Sequence, residues 1–196
     1  MTCIGLVRHG ITMWNTERRA QGQTDIPLNE TGRWQARALA KRLTNEEWDY
    51  IYSSDLSRAV ETAEIIAGII GKPVQTDIRL REMYKGETEG TTLEERINKW
   101  GTGWEELSLG IETDQSIVQR GLSFIEEITE RLKGRKILIV SHGALIEFIL
   151  KSLIADIHID GPIGNTSITI INHNDSGWNC GLFNCVEHLE GLNKID

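Results

Sequence analysis

Short apolar runs alternate with amphipathic stretches along most of the chain. The runs at residues 3–7 and 136–140 are brief and almost wholly apolar, which is typical of strands buried on both faces of a sheet. A segment at residues 178–186 alternates less strictly and is predicted to form an antiparallel edge strand. Strands are predicted at residues 3–7, 50–52, 74–80, 136–140, 167–171 and 178–186.

Four predicted helices separate the first five predicted strands. In three of them apolar residues recur at three- and four-residue spacing, which predicts one buried stripe each, and the fourth is largely apolar. Asn29 is suited to cap the first helix, and Gly71 followed by Pro73 ends the second. The helices are predicted at residues 30–43, 56–70, 117–132 and 144–154, and the cap candidates for the second are Ser53, Ser54 and Asp55.

The alternation of strands and helices indicates the fold class. Strand, helix and strand in succession favour right-handed crossovers, and these build a mostly parallel sheet with helices on both faces. We therefore expect a three-layer α/β/α fold with an antiparallel edge strand. Residues 86–116 carry many glutamates and glycines without a clean period, so they are predicted to form a lid over the core. Residues 1–196 are expected to form a single domain.

Composition narrows the possible partners. The formal charge of −8 argues against binding to a nucleic acid, because such proteins usually present a net basic face. An odd count of three cysteines favours neither a disulfide framework nor a zinc site. No apolar run is long enough to cross a membrane, and no leader segment is recognisable. We expect a cytoplasmic protein without membrane contact, and its edge strands could support a homodimer.

Two of the predicted strands end in a histidine followed by a glycine. Arg8 and His9 follow the first strand, and His142 follows the strand at residues 136–140. Ligands of open α/β sheets bind outside the carboxyl ends of the strands, so these side chains are expected to meet there. Arg58 falls in the first turn of a helix, where the helix dipole favours an anion. Cationic groups are thus predicted to converge in an acidic protein.

Each of these residues also has an ordinary structural interpretation. A single histidine after a strand is more often a hydrogen-bonded structural residue than a catalyst, and an arginine at a helix start is more often solvated. Glu82, one of 29 acidic residues, would not stand out by itself. The other three histidines show no metal-binding spacing, so no metal site is predicted. The repetition of the strand–histidine–glycine junction favours the functional interpretation.

Five blocks in the same order carry a family resemblance. The chain resembles the histidine phosphatase superfamily, also called the phosphoglycerate mutase-like family, over about residues 3–189. The blocks are LVRHGITMWN at residues 6–15 with the segment AQGQTDIPLNETGRWQA that follows at 20–36, SSDLSRAVETA at 53–63, LREMYKGETEG at 80–90, ILIVSHG at 137–143 and GNTSITII at 164–171. A bare RHG recurs by chance, whereas five ordered blocks are specific.

The resemblance implies a role for each matching residue. His9 corresponds to the histidine that is phosphorylated, Arg58 to the second arginine and His142 to the second histidine of the family. Glu82 corresponds to the acid that serves as general acid and base. The remaining site residues are phosphate contacts or line the phosphate pocket: Arg8, Gly10, Asn15, Gln21 and Gly22. Gly10 is expected to let the backbone approach the phosphate closely.

The resemblance leaves the reaction open between three alternatives. The GxxEG form of residues 86–90 resembles the phosphatase branch, which predicts hydrolysis of a small phosphomonoester with no cofactor. A cofactor-dependent phosphoglycerate mutase must retain a bisphosphate, which asks for basic residues in the lid. Residues 86–116 hold only Arg96 and Lys99 against eight acidic residues, and this balance favours the phosphatase. A non-catalytic module that binds a phosphate ligand is the third alternative.

Overall fold

The computed structural model describes residues 1–190 of the 196-residue chain, and six strands in this part form one sheet. In sequence order they are β1 (Thr2–Arg8), β2 (Tyr50–Ser53), β3 (Val74–Thr76), β4 (Lys136–Ser141), β5 (Ile168–Asn174) and β6 (Gly177–Cys185). The order across the sheet is β3-β2-β4-β1-β5-β6. Neighbours from β3 to β1 pair in parallel, whereas β5 is antiparallel to both β1 and β6. The predicted mostly parallel sheet with an antiparallel edge is confirmed, and β5 is the strand that opposes the others.

Helices cover both faces of the sheet. They are α1 (Met13–Thr16), α2 (Glu30–Leu43), α3 (Ser57–Ile70), α4 (Leu93–Trp100), α5 (Asp114–Arg131) and α6 (Gly143–Leu153). Apolar residues of α2 and α3 form one core cluster with the sheet, and those of α5 and α6 form a second cluster on the opposite face. The fold is therefore the predicted three-layer α/β/α arrangement.

Strand β4 shows why its sequence is apolar at successive positions. Ile137 and Ile139 lie in the cluster with α5 and α6, whereas Leu138 and Val140 lie in the cluster with α2 and α3. Successive side chains of a strand point to opposite faces, so a strand between two helix layers needs apolar residues at every position. Complete burial of each such side chain stabilises the fold by ~1.5–3 kcal/mol.

The pairing of β1 with β4 determines where the two histidines lie. Arg8 at the end of β1 is in register with Ser141 at the end of β4. The residue that follows each strand is a histidine, and the backbone N–H of His9 donates to the carbonyl of Ser141 at 2.9 Å. His9 and His142 therefore leave the same edge of the sheet side by side.

Two predicted elements differ from the structure. The predicted strand at residues 74–80 ends at Thr76, because the carboxylate of Asp77 accepts the N–H of Arg79 and starts a 3-10 turn at Ile78–Leu80. The segment at residues 86–116, in which no helix was predicted, contains α4. Its N-terminus is closed by a capping box between Thr92 and Glu95.

The start of α3 is capped differently from the prediction. None of the cap candidates Ser53, Ser54 and Asp55 caps the helix in the expected way, since its N-cap residue is Leu56. The carboxylate of Asp25 accepts the N–H of Ser57 at 2.8 Å and its hydroxyl at 2.7 Å. Asp55 instead forms an ion pair with Arg81 at 2.6 Å. A loop 32 residues earlier in the chain therefore supplies the cap.

Among residues 1–190, no helix combines the length and apolar character needed to cross a membrane. All three cysteines are free thiols: Cys3, Cys180 and Cys185.

Candidate active site

Two histidines lie together at the carboxyl end of the sheet. The side chains of His9 and His142 are 2% and 0% exposed, and their ring centroids lie 5.1 Å apart with a tilt of 57°. His142 is the N-cap residue of α6, while His9 begins the loop that leads to α1. The sequence-predicted meeting of the two strand ends is therefore present in the structure.

Hydrogen bonding determines which nitrogen of His9 is basic. Nδ1 lies 2.7 Å from the carbonyl oxygen of Gly10. Because a carbonyl oxygen can only accept, Nδ1 carries the proton and Nε2 carries a lone pair. The Gly10 carbonyl also fixes the plane of the ring. Nε2 is therefore the ring nitrogen of His9 whose lone pair is free to bond.

Two arginines contribute charge to the same place. Arg58 is 0% exposed, and its guanidinium donates to the carbonyls of Gly22 at 2.7 Å and Thr24 at 2.9 Å. Arg8 donates to the carbonyl of Ile163 at 2.5 Å. These bonds hold each guanidinium by its outer nitrogens. The inner Nε atoms of both arginines are buried and have no partner among residues 1–190.

Unpaired buried nitrogens concentrate at this site. Within the described residues, eight buried side-chain nitrogen or oxygen atoms have no hydrogen-bond partner, and four of them belong to Arg8, Arg58 and His142. Buried polar groups are nearly always paired, so such a concentration indicates a place where a polar ligand binds. The two guanidinium groups and the imidazole can all donate hydrogen bonds, so together they suit an anionic ligand.

Burial and positive charge keep both histidines neutral. Burial lowers the pKa of His9 well below its usual value, and the charges of Arg58 and Arg8 lower it further. Burial, followed by the charge of Arg58, lowers the pKa of His142 in the same way. Arg58 is affected too, since burial lowers its pKa to about 10 although the charge of Glu82 acts in the opposite direction. The site is therefore a cationic pocket with two neutral imidazoles at neutral pH.

Glu82 lies against the start of α6. One carboxylate oxygen accepts the N–H of Met83 at 2.9 Å and the other lies 3.4 Å from the N–H of Ala144. Its charge raises the pKa of Arg8, which burial lowers more strongly. The carboxylate thus lies beside Ala144, two residues after His142 in the sequence, and is close enough to both arginines to influence their ionisation.

The other predicted residues join this site through hydrogen bonds. Gln21 accepts the hydroxyl of Thr12 at 2.9 Å, and Asn15 accepts the N–H of the same residue at 3.1 Å. Gly22 has a φ of +55° and gives its carbonyl to Arg58. A Cβ at Gly10 would lie 2.5 Å from the carbonyl oxygen of Gly32. Close packing against α2, and not only the expected approach to a ligand, therefore requires a glycine at position 10.

Three supporting residues were not predicted from the sequence. The hydroxyl of Thr62 accepts the N–H of Gly10 at 3.1 Å and donates to the carbonyl of Arg58 at 2.7 Å. The amide of Asn165, within the quoted block GNTSITII, donates to the carbonyl of His9 at 2.9 Å. Arg120 donates to the carbonyl of Glu82 at 3.0 Å and forms an ion pair with Glu112 at 2.8 Å. Each fixes the backbone of a site residue from a distant part of the chain.

The segment at residues 86–116 is attached beside the site. Ala20 donates its N–H to the carbonyl of Thr91 at 3.0 Å and accepts the N–H of Gly90 at 2.8 Å. Arg19 donates to the carbonyl of Gly90 at 2.7 Å and pairs with Glu95 at 2.6 Å. These contacts join the segment to the loop that carries Gln21 and Gly22.

The buried neutral histidines predict a loss of stability in mild acid. Because the pKa values of His9 and His142 are lower in the folded protein, the unfolded chain binds more protons below pH ~6.5. The contribution of these histidines to the free energy of unfolding is therefore fully present above that pH. It falls as the pH falls below it, by ~1.4 kcal/mol per pH unit for each histidine. His188, whose pKa burial lowers to about 4, acts in the same direction.

Urea unfolding between pH 5.5 and 7.5 would measure this dependence, because most carboxylates stay ionised in that range. His142→Gln is expected to reduce the slope, whatever its effect on stability at neutral pH. A free energy of unfolding that is constant across this range would contradict the neutral, buried state of the pair.

The fold and the site together define a class of protein. The pocket combines two strand-end histidines with two buried arginines at the carboxyl edge of a three-layer α/β/α sheet. Such a pocket is typical of α/β proteins that bind a phosphate group. The model of the histidine phosphatase superfamily (branch 1) matches residues 4–186. The chain belongs to that superfamily, as its five sequence blocks predict.

Individual relatives agree with this assignment over almost the whole chain. The chain is 33% identical to the uncharacterized phosphatase PhoE of Bacillus subtilis, over 99% of this chain and 100% of the relative. It is 32% identical to a metal-independent phosphoserine phosphatase of Arabidopsis thaliana, over 98% of this chain and 85% of the relative. YhfR of Bacillus stearothermophilus shares the fold with a TM-score of 0.87 and 34% identity, over 97% of this chain and 100% of that one. Other relatives are named phosphoglycerate mutase-like, so the superfamily indicates a phosphatase or a mutase.

Proposed function

We propose that this protein hydrolyses small phosphomonoesters without a metal ion, through a phosphohistidine formed on His9. The observation that carries the proposal is the burial of unpaired nitrogens of Arg8, Arg58 and His142 beside His9, whose pKa the charges of both arginines lower. This arrangement supplies a nucleophile and a set of donors for the phosphate oxygens within one buried pocket.

The first chemical step forms the phosphoenzyme. The lone pair of His9 Nε2 forms a bond to phosphorus while the bond from phosphorus to the leaving oxygen breaks in line with it. The carboxyl group of Glu82 transfers a proton to the leaving oxygen, so an alcohol departs and a carboxylate remains. The carbonyl of Gly10 stabilises the proton on Nδ1 while the ring carries the phosphoryl group.

The second step returns the enzyme to its starting state. The Glu82 carboxylate takes a proton from a water molecule, whose oxygen bonds to phosphorus as the bond to Nε2 breaks. Inorganic phosphate leaves and His9 is again neutral. The two arginines balance the charge of the phosphoryl group, and a bound dianion favours the protonated form of His142.

The environment of the lid cations supports hydrolysis over mutase activity. The guanidinium of Arg96 lies over the ring of Trp104 at 4.8 Å, and the ammonium of Lys99 lies over Trp100 at 4.2 Å. Each of these cations, the only two in residues 86–116, thus contacts a tryptophan of its own segment. A mutase would use such cations to retain a bisphosphate. The presence of all five catalytic candidates likewise favours an enzyme over a non-catalytic phosphate-binding module.

A substrate panel in EDTA tests the proposal. We expect inorganic phosphate to be released from p-nitrophenyl phosphate and from at least one small alkyl ester, with phosphoserine and 3-phosphoglycerate as the first candidates. Exchange between phosphoglycerate isomers, followed by NMR on the same samples, is expected to be slower than phosphate release. Loss of turnover in EDTA that a divalent cation restores would contradict the metal-independent route, and faster isomer exchange would favour the mutase.

A further inference from the structure

The carboxylate of Glu89 is surrounded by donors from a loop that lies 65 residues earlier in the chain. It accepts the backbone N–H of Gln23 at 2.8 Å and of Thr24 at 2.9 Å, and the hydroxyl of Thr24 at 2.5 Å. The N–H of Lys85 donates to it at 3.0 Å. A carboxylate that accepts four such bonds holds the loop strongly, because bonds to a charged acceptor exceed neutral ones in strength.

The same loop holds the guanidinium of Arg58. The carbonyls of Gly22 and Thr24 accept two of its nitrogens, at 2.7 Å and 2.9 Å. The loop is therefore enclosed between a carboxylate that binds its N–H groups and a guanidinium that binds its carbonyls. Glu89 and Arg58 act on opposite sides of residues 22–24.

Gly22 shows how closely the carboxylate approaches the loop. A Cβ at this position would lie 1.9 Å from Glu89 Oε1, and the φ of +55° is itself unfavourable for other residues. No side chain fits between the loop and the carboxylate. The position of the Gly22 carbonyl, and with it the direction of the Arg58 guanidinium, therefore depends on where the Glu89 carboxylate lies.

We propose that Glu89 is a positioning residue of the phosphate site, which acts through residues 22–24 to direct the guanidinium of Arg58. The outer nitrogens of Arg58 are held by the loop, and its unpaired Nε remains for the ligand. Burial lowers the pKa of Arg58, and the negative charge of Glu89 partly offsets this decrease. The proposal rests on the proposed function, since it assigns Glu89 to the binding of a phosphate group.

Other contacts attach the segment at residues 86–116 to the body of the protein. Ala20 bonds the backbone of Gly90 and Thr91, and Arg19 bonds Gly90 and Glu95, without using the carboxylate of Glu89. A change confined to that carboxylate is therefore expected to leave the segment in place. Its effect should reach the site through Arg58.

A double-mutant cycle on Glu89 and Arg58 tests this coupling. Glu89→Gln replaces one acceptor oxygen with an amide that points donors at the donors of the loop. We expect it to weaken binding of inorganic phosphate, measured by calorimetry, by ~10- to 100-fold and to lower kcat/KM similarly, because small displacements of a binding group have effects of this size. In an Arg58→Met background the same change is expected to have almost no further effect. Glu87→Gln, an exposed position in the same turn, is the matched control and should match wild type.

The outcomes separate this proposal from the proposed function. Equal losses from Glu89→Gln in both backgrounds, or no loss in the wild-type background, would overturn the positioning role. If Arg58→Met does not fold, Arg58→Lys provides the second background, and Thr24→Val should give a smaller loss by removing only the hydroxyl donor. Coupled phosphate binding without any turnover would support the positioning role and contradict the phosphatase. Wild type that neither binds phosphate nor turns over would contradict both.

Discussion

His9→Ala is expected to lower phosphate release by about 10⁴-fold or more, because it removes the nitrogen that acts as the nucleophile in the proposed function. Burial and the two arginines keep the His9 imidazole unprotonated, so in the wild type its lone pair is available at neutral pH. The experiment is a phosphate-release assay in EDTA at saturating substrate, with thermal unfolding measured on each variant.

The chemical identity of the intermediate provides a second readout for His9. Rapid mixing of wild type with ³²P-labelled ester should label the protein in an acid-labile form, and peptide mapping should place the label on residue 9. The variant should show no label. The exposed His158 offers a matched control, since His158→Ala removes a histidine remote from the strand ends. Turnover or labelling that persists in His9→Ala would exclude this residue as the nucleophile.

Glu82→Gln is expected to reduce kcat/KM, which reports formation of the phosphoenzyme, by ~10²–10⁴-fold on alkyl phosphate esters and far less on p-nitrophenyl phosphate. The amide keeps the shape of the side chain but cannot give a proton to the leaving oxygen. An alkoxide needs that proton in order to leave, whereas p-nitrophenolate leaves readily as an anion. The dependence of the loss on the leaving group therefore separates proton donation from a purely structural role.

This comparison uses phosphoserine and p-nitrophenyl phosphate as paired substrates, assayed for kcat and KM across the pH range of activity. Glu94→Gln, an exposed position on α4, controls for the change of charge. A loss of kcat/KM of equal size on both substrates would indicate that Glu82 fixes the site rather than supplying the proton to the leaving group. An unchanged rate on both would remove Glu82 from the mechanism.

Local pattern accounted for most of the fold, and long-range contacts account for the differences. Strands β1 and β4 were readable because burial on both faces requires apolar residues at each position. Helix α4 was not predicted. Its apolar residues Leu93 and Ile97 are exposed, so the helix has no buried apolar stripe that a sequence pattern could reveal. The cap of α3 comes from Asp25, which no local rule connects with Ser57.

The site divides in the same way. Residues that follow strand ends were predictable, because parallel strands bring their carboxyl ends to one edge of the sheet. The family blocks added Glu82, Asn15, Gln21 and Gly22, whose local sequence alone indicates no chemistry. Supporting residues such as Thr62 and Arg120 act through contacts across 52 and 38 residues, and sequence spacing carries no signal of them.

The central place of β1 has a consequence for biosynthesis. The strand that delivers His9 is made first, yet its hydrogen-bonding neighbours are β4 and β5, at residues 136–141 and 168–174. Strands β2 and β3 can pair early, but the pairing of β1 with β4 that joins His9 to His142 forms only after residues up to His142 have emerged from the ribosome, and β5 follows later still. Such non-local pairing is expected to form slowly and to leave the apolar strand β1 unpaired during elongation.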